Sequence, residues 1–241
     1  MRFVYHHDMK LNFTTIIPVF GGADLAERSI ESALSQEHEN HKVIVCCDKV
    51  SRDREEGLVA KYKNIALVKS AERRLYALEN ILRATPFVLD NSIVGIIDGD
   101  DELIRNDTLS LIEQEYKNGY GCVWTAHSWD INGVNQSGAL DNSISPYRQK
   151  WCASHFRTFL KSDLNKINWH NFKDAEGQFF KRTYDQALML PIIHSVLMSG
   201  RKTKYIDKNC YLYRGRTEWG TDGNEYQINI ENFIRNRGYV E

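Results

Sequence analysis

Nowhere in these 241 residues does an apolar run approach the length of a membrane-spanning helix. The opening Met1-Arg2-Phe3-Val4-Tyr5-His6-His7-Asp8 also lacks the apolar core of a secretory signal. Cysteine offers no disulfide framework: there are five, an odd number, and Cys46 and Cys47 are adjacent. A reducing cytoplasm is therefore the expected location, with peripheral attachment to a membrane or a protein partner left open. There is no excess of either charge; the formal net value is −1. A general attraction to polyanions is excluded, although a local basic patch is not. Repeats, low-complexity tracts and an interdomain linker are all missing. What remains is an ordinary soluble composition, 42% hydrophobic and 26% charged, long enough for a substantial core.

The first half alternates two patterns. Phe13 to Val19 is β-rich and closes on Pro18-Val19-Phe20-Gly21-Gly22. Asp24 to Gln36 reads as a helix, Lys42 to Cys47 as a buried strand and Arg52 to Tyr62 as a helix. A short strand at Ile65 to Val68 and a helix over Ala71 to Ala84 follow. After the next strand come a helix at Asn106 to Lys117 and a strand at Gly121 to His127. Strand-helix alternation predicts an α/β fold, with a mostly parallel sheet covered by helices on both faces. The second half is looser. Asn132 to Tyr147 reads as a loop and Trp151 to Ile167 as largely helical. Trp169 to Thr183 reads as a loop, and Tyr184 to Ser199 as a helix in which Pro191 starts a new turn or kinks it. Tyr205-Ile206 and Cys210 to Tyr213 read as short strands. The expectation is one domain over 1–241, with about 1–127 and about 128–241 doing different work. The second, acceptor-side half is the more irregular.

The most informative segment is Val94-Gly95-Ile96-Ile97-Asp98-Gly99-Asp100-Asp101, a buried-type strand that ends in three acids around a glycine. Ligands of open α/β sheets collect at the carboxyl ends of strands. Crowded carboxylates repel unless a cation or a hydrogen-bonded ligand compensates them, and a divalent ion gripping phosphate oxygens does this well. The plain alternative is a polar turn in which Asp100 or Asp101 caps the next helix.

Three strand ends, Pro18-Val19-Phe20, Cys47-Asp48 and Asp98-Gly99-Asp100-Asp101, occur in an order that resembles the GT-A glycosyltransferases of the large inverting family 2. The resemblance covers about residues 13 to 215. It includes Ile16-Ile17-Pro18-Val19-Phe20, the "Ser-x-x-x-Gln" of Ser32-Ala33-Leu34-Ser35-Gln36, and the Asp-x-Asp element Asp98-Gly99-Asp100. The run Ser154-His155-Phe156-Arg157-Thr158-Phe159 resembles a signature of some members. Tyr184-Asp185-Gln186-Ala187-Leu188 stands where the family carries its base motif, usually Glu-Asp.

The resemblance implies a GT-A domain that moves a sugar from a nucleotide-sugar, with UDP the expected nucleotide, to a hydroxyl acceptor, with Mn²⁺ or Mg²⁺ as cofactor. It implies that Asp100 holds the metal and that Asp98 serves the donor ribose or the metal shell, with Gly99 between them. Asp101 is then a helix cap or a supporting residue. Pro18, Val19 and Phe20 would line the base pocket, and Asp48 would accept from a base N–H. Inversion needs a base opposite the leaving nucleotide, and Asp185 is that candidate. The acceptor is expected to be a saccharide or lipid-linked glycan, as in surface polysaccharide assembly. A modified nucleic acid fits the neutral charge balance less well.

The sequence departs from the family at two places. Cys47-Asp48-Lys49-Val50-Ser51-Arg52-Asp53 keeps one of two paired acids, and Ala77-Leu78-Glu79-Asn80 has Glu79 where an arginine is usual. Arg74 or Arg73 would compensate, with Asn80 also facing the donor. His155 and Arg157 suit phosphate or acceptor contacts, and Arg214 and Arg216 suit a loop closing over the pyrophosphate. Each has a plain alternative as a packing residue or solvated charge. His194 is a further candidate ligand, and Trp124, Trp129, Trp151 and Trp169 are either a sugar platform or core. Two other functions fit parts of the pattern. One is a non-catalytic nucleotide- or sugar-binding module of the same fold. The other is a phosphatase of the haloacid dehalogenase type, disfavoured because its Asp-x-Asp belongs on the first strand.

Overall fold

A computed structural model of the chain describes residues 11–20, 23–49, 52–69, 73–214 and 221–241. Arg216, the Gly21-Gly22 turn and the expected helix start at Ala71 lie outside them. The described residues form an eight-stranded mixed sheet flanked by helices. The strands are β1 (Asn12–Phe20), β2 (His41–Asp48), β3 (Ile65–Val68), β4 (Ser92–Ile96), β5 (Glu102–Leu103), β6 (Cys122–Trp129), β7 (Arg157–Leu160) and β8 (Thr203–Tyr213). Their order across the sheet is β3-β2-β1-β4-β7-β6-β8-β5. The first four are mutually parallel, as the alternation predicts. β7 then runs antiparallel between β4 and β6, β8 lies parallel to β6, and β5 pairs antiparallel with β8.

The helices are α1 (Ala23–Leu34), α2 (Arg52–Lys61), α3 (Tyr76–Ala84), α4 (Thr108–Lys117), α5 (Lys161–Leu164), α6 (Tyr184–Met198) and α7 (Thr221–Arg237). The period-two alternation of each strand divides the core between the two faces of the sheet. Ile16, Ile44, Val94, Ile96, Trp124 and Phe159 meet Leu78, Ile81 and Leu82 of α3 and the apolar side of α6 on one face. Phe13, Ile17, Val43, Val45, Ile93 and Phe156 meet Ile30 of α1 and Leu109 and Ile112 of α4 on the other. Burying aliphatic and aromatic side chains of this size contributes about 1.5–3 kcal/mol each.

Three expectations change. Trp151 to Ile167 is not largely helical: it contains β7, and only the single turn of α5. The two short strands at 205–206 and 210–213 are one strand, β8, whose register against β6 shifts between Thr125 and His127. The helix of residues 71–84 begins at Tyr76 among the described residues. α6 continues past Pro191 to Met198, although Pro191 has no N–H to give to the Ala187 carbonyl.

Candidate active site

The site is assembled at the carboxyl ends of β1 and β4. Strand parity explains which side chains meet there. Ile96 of β4 pairs with Arg157 of β7, and Arg157 pairs with Trp124 of β6. Arg157 thus shares a face with Ile96 and Trp124, and Asp98, two residues past Ile96, falls on that same face. The start of α6 brings Tyr184 and Asp185 to the same place.

Arg157 is 1% exposed. Its Nη2, with two hydrogens to share, lies 3.2 Å from Asp98 Oδ2, 2.8 Å from Tyr184 Oη and 3.2 Å from His155 Nδ1. Its Nε and Nη1 are buried without an acceptor. Burial opposes the guanidinium charge, but Tyr184, Asp98 and Asp185 together hold its pKa above the ordinary value. The Tyr184 hydroxyl donates to Asp98 Oδ1, so both oxygens of Asp98 are engaged. Burial raises the pKa of Asp185; Arg157, the Gln186 N–H and the Trp151 indole oppose the rise. Asp185 is the second residue of α6, behind Thr183, which adopts a left-handed backbone conformation (φ 54°) and offers no side-chain cap.

Asp101 does not cap a helix. It is fully buried, and its Oδ2 accepts from the Tyr211 hydroxyl at 2.7 Å and its Oδ1 from the Arg214 N–H at 2.8 Å. The residue before α4 is Asp107 instead. Tyr211 also accepts from the Asp98 N–H at 3.1 Å, which ties the acidic turn to the end of β8. Burial and the neighbouring Asp98 hold the Asp101 carboxyl well above the usual carboxylate range. The turn is fixed from below by α1. Ser29 donates to the Asp101 carbonyl at 2.6 Å, Ser32 accepts from the Leu103 N–H, and Gln36 donates to the Arg105 carbonyl. The "Ser-x-x-x-Gln" spacing is therefore a clamp on the acidic turn. Gly99 is required by close approach: a Cβ there would stand 2.6 Å from the Pro18 carbonyl oxygen.

A ring stack borders the acids. His155 lies face to face with Tyr211 (4.6 Å) and Tyr213 (5.1 Å) and edge-on to His127 (5.3 Å). Burial, and then Arg157, push His155 well below its usual pKa and His127 down to about 4, so both imidazoles are neutral at pH 7. Asp98, Asp101 and His155 offer ligand atoms that all lie within 4.8 Å of one another. Two carboxylates and a neutral imidazole suit Mn²⁺ or Mg²⁺, and the carboxylate oxygens retain lone pairs beyond the hydrogen bonds they accept. The cluster contains Asp98 of the expected pair and adds Asp101 and His155.

The nucleotide side is arranged differently from expectation. Asp48 is 2% exposed, and its two oxygens accept the Leu75 and Tyr76 N–H groups at 2.9 and 2.8 Å. It satisfies the start of α3, whose boundary residue Leu75 has no side chain able to do so. The Arg74 guanidinium lies 3.6 Å from the centre of the Phe20 ring and 4.4 Å from that of Tyr76. Phe20 itself is half-exposed, and Pro18 and Val19 back the Gly99 turn. Arg73 is an exposed partner of Glu79 at 2.5 Å. Asn80 is buried, donates to the Tyr76 carbonyl at 2.9 Å, and leaves its Oδ1 unfilled.

Arg214 pairs with Glu102 at 2.5 Å beside the acidic turn. His194 is remote in role, stacked on Tyr239 at 4.5 Å. Of the tryptophans, Trp124 is core and donates to the Gly138 carbonyl, Trp129 packs on Tyr213, Trp151 neighbours Asp185, and Trp169 is half-exposed. The sequence reading passed over Tyr184, Tyr211, Tyr213 and His127. The available signal was Tyr211-Leu212-Tyr213, whose strand alternation puts two rings on one face.

The model of glycosyl transferase family 2 matches residues 14–184, which span β1 to the first residue of α6. The chain belongs to glycosyl transferase family 2. Its fold places the acidic turn and Asp185 around one buried arginine. As a family 2 member it is a glycosyltransferase that uses a nucleotide-sugar. Among solved structures, TarS 1–349 of S. aureus in complex with UDP-GlcNAc is similar at a TM-score of 0.63 and 15% identity, covering 96% of this chain and 68% of that one. The longer S. aureus TarS gives a TM-score of 0.63 at 14% identity and is covered over 41% of its length. The mannosyltransferase PcManGT of Pyrobaculum calidifontis, in complex with GDP-Man and Mn²⁺, gives a TM-score of 0.57 at 14% identity, covering 88% and 59%. No curated protein sequence matches the chain. No described helix is long and apolar enough to cross a membrane.

Proposed function

We propose that this family 2 domain transfers a glycosyl group with inversion, from a nucleoside-diphosphate sugar to a hydroxyl acceptor, assisted by Mn²⁺ or Mg²⁺. The observation that carries the reading is the convergence of Asp98 and Asp185 on the Arg157 side chain at the end of β4. A donor-side acid and a base candidate then face one reaction space. Solved neighbours bound to UDP-GlcNAc, and to GDP-Man with Mn²⁺, support a diphosphate donor. They do not choose between uracil and guanine; UDP remains our first choice, from the resemblance.

In this reading Asp98, Asp100, Asp101 and His155 are the residues that would hold the ion, which supplies positive charge for the departing diphosphate. Phe20, with Arg74 and Tyr76 beside it, presents stacking surfaces to the nucleobase. Asp185 accepts the proton of the attacking hydroxyl, and its raised pKa makes it a stronger base than a solvated aspartate. Tyr213 and Trp129, partly exposed and in contact at 5.2 Å, offer apolar faces to a sugar ring. A saccharide or lipid-linked acceptor suits such a surface. We place the protein in the cytoplasm, with peripheral membrane association open.

Calorimetric titration with UDP and GDP, with and without Mn²⁺, on the wild type and Asp100→Ala tests the donor side. One nucleotide should bind in a metal-dependent way and be lost in the variant. Failure of both nucleotides to bind under either condition sinks the proposal.

A further inference from the structure

Acidic side chains crowd the end of β4, and the cation that faces them is buried. Asp98 and Asp101 lie on the turn, Asp185 approaches from α6, and Arg157 stands among them at 1% exposure. Its Nη2 lies 3.2 Å from Asp98 Oδ2 and 3.2 Å from His155 Nδ1. These are two of the three groups whose ligand atoms cluster within 4.8 Å. One guanidinium nitrogen thus faces the Nδ1 lone pair of His155 and takes one lone pair of Asp98 Oδ2. An imidazole Nδ1 has a single lone pair, so while it accepts from Arg157 only Nε2 of His155 could serve a metal. Arginine cannot lose its proton to make way. A second cation brought beside this buried charge is repelled in a medium that screens poorly.

The rest of the guanidinium supports the same conclusion. Nε and Nη1 are buried with no acceptor, so the hydrogen bonds that hold the charge are all made through Nη2, to Asp98, His155 and Tyr184. The side chain is too buried to touch a substrate, and it acts through the residues it holds.

We propose that Arg157 is the resident cation of the acidic turn: it keeps Asp98, Asp101 and His155 from taking up a free divalent ion, so that the ion enters only together with the donor diphosphate. The inference rests on the diphosphate-donor reading above. A diphosphate brings phosphate oxygens as ligands and negative charge to offset the guanidinium, and small hard cations are commonly held by one or two carboxylates plus substrate phosphates. Arg157 is a positioning residue here. It pins Asp98 before the donor arrives and makes metal binding conditional on nucleotide.

The test is Mn²⁺ binding followed by the loss of the free-ion paramagnetic resonance signal, for the wild type, Arg157→Gln and Arg157→Lys, with and without UDP or GDP. The wild type should take up Mn²⁺ only when a nucleotide is present. Arg157→Gln should bind Mn²⁺ alone at least about tenfold more tightly than the wild type, the scale on which neighbours of metal ligands tune affinity. Arg157→Lys, which keeps the charge, should resemble the wild type. A merely structural role for Arg157 predicts weaker binding in both variants, and that result overturns the proposal. If Arg157→Gln does not fold, the wild type decides alone, because Mn²⁺ uptake without nucleotide overturns it. A wild type that binds neither nucleotide at any Mn²⁺ concentration removes the donor reading, and this inference with it.

Discussion

Asp185 lies between opposing influences. Burial disfavours its charged form, while Arg157, the Gln186 N–H and the Trp151 indole favour it, and the outcome is a raised pKa. A base must be ionised to act, so activity is retained above that pKa and lost as pH falls through it. The acid limb of kcat/KM should therefore lie above the range of a solvated aspartate. Asp185→Asn should lower the transfer rate by roughly 10²–10⁴-fold, the usual contribution of a positioned base. Nucleotide binding by the same variant, measured calorimetrically, should stay close to wild type. Wild-type turnover in Asp185→Asn would assign the base elsewhere. Asp48 makes a contrasting prediction: both its oxygens are used by backbone N–H groups at the start of α3. Asp48→Ala should cost about 1–2 kcal/mol in urea denaturation, the range for loss of a helix cap.

At the scale of elements, the acidic turn is shaped by what presses against it. A Cβ at Gly99 would meet the Pro18 carbonyl oxygen, which belongs to the backbone of a central strand and has little freedom to move. Gly99→Ala should destabilise the chain by about 1–3 kcal/mol, the cost of overpacking. It should also weaken nucleotide binding, since Asp98 and Asp100 flank the displaced residue; thermal melting with and without nucleotide checks both effects. The parallel strands β1, β2 and β4 were legible because their apolar runs are short and bounded by turn residues. β7 was not. Phe156, Phe159, Leu160 and Leu164 recur at the spacing of a helical stripe, and a strand buried on both faces lacks the alternation that would betray it. The start of α6 at Tyr184-Asp185 was legible. The hydrogen bond from Tyr184 to Asp98 was not, because it joins residues brought together only by the tertiary fold. α7 went unread: its amphipathic signal is weak, and it is anchored by polar bonds from Arg235 to Gln186, Tyr147 and Gln149.

Over the whole molecule, the cysteines report on the integrity of the core. All five are free thiols; Cys46, Cys47, Cys122 and Cys210 are buried, and only Cys152 is partly exposed. Burial pushes Cys46 and Cys47 up to about 12, far from the thiolate form that reacts. Native protein treated with iodoacetamide near neutral pH should be labelled slowly and first at Cys152. Denatured protein should be labelled at all five, as intact mass would show. Fast native labelling of Cys46 or Cys47 would contradict the packing of β2.

The strand order has a consequence for how this enzyme can be rebuilt. β7 is the neighbour of β4, and β6 reaches the first four strands only through β7. The arginine that faces Asp98 comes from a later stretch of chain, on a strand laid against an earlier one. A cut after His127 would leave β4 with an open edge and Asp98 without its counter-charge. The two halves therefore cannot be exchanged like cassettes. Any redesign of the loops around Tyr213 and Trp129 must inherit the interleaved frame whole.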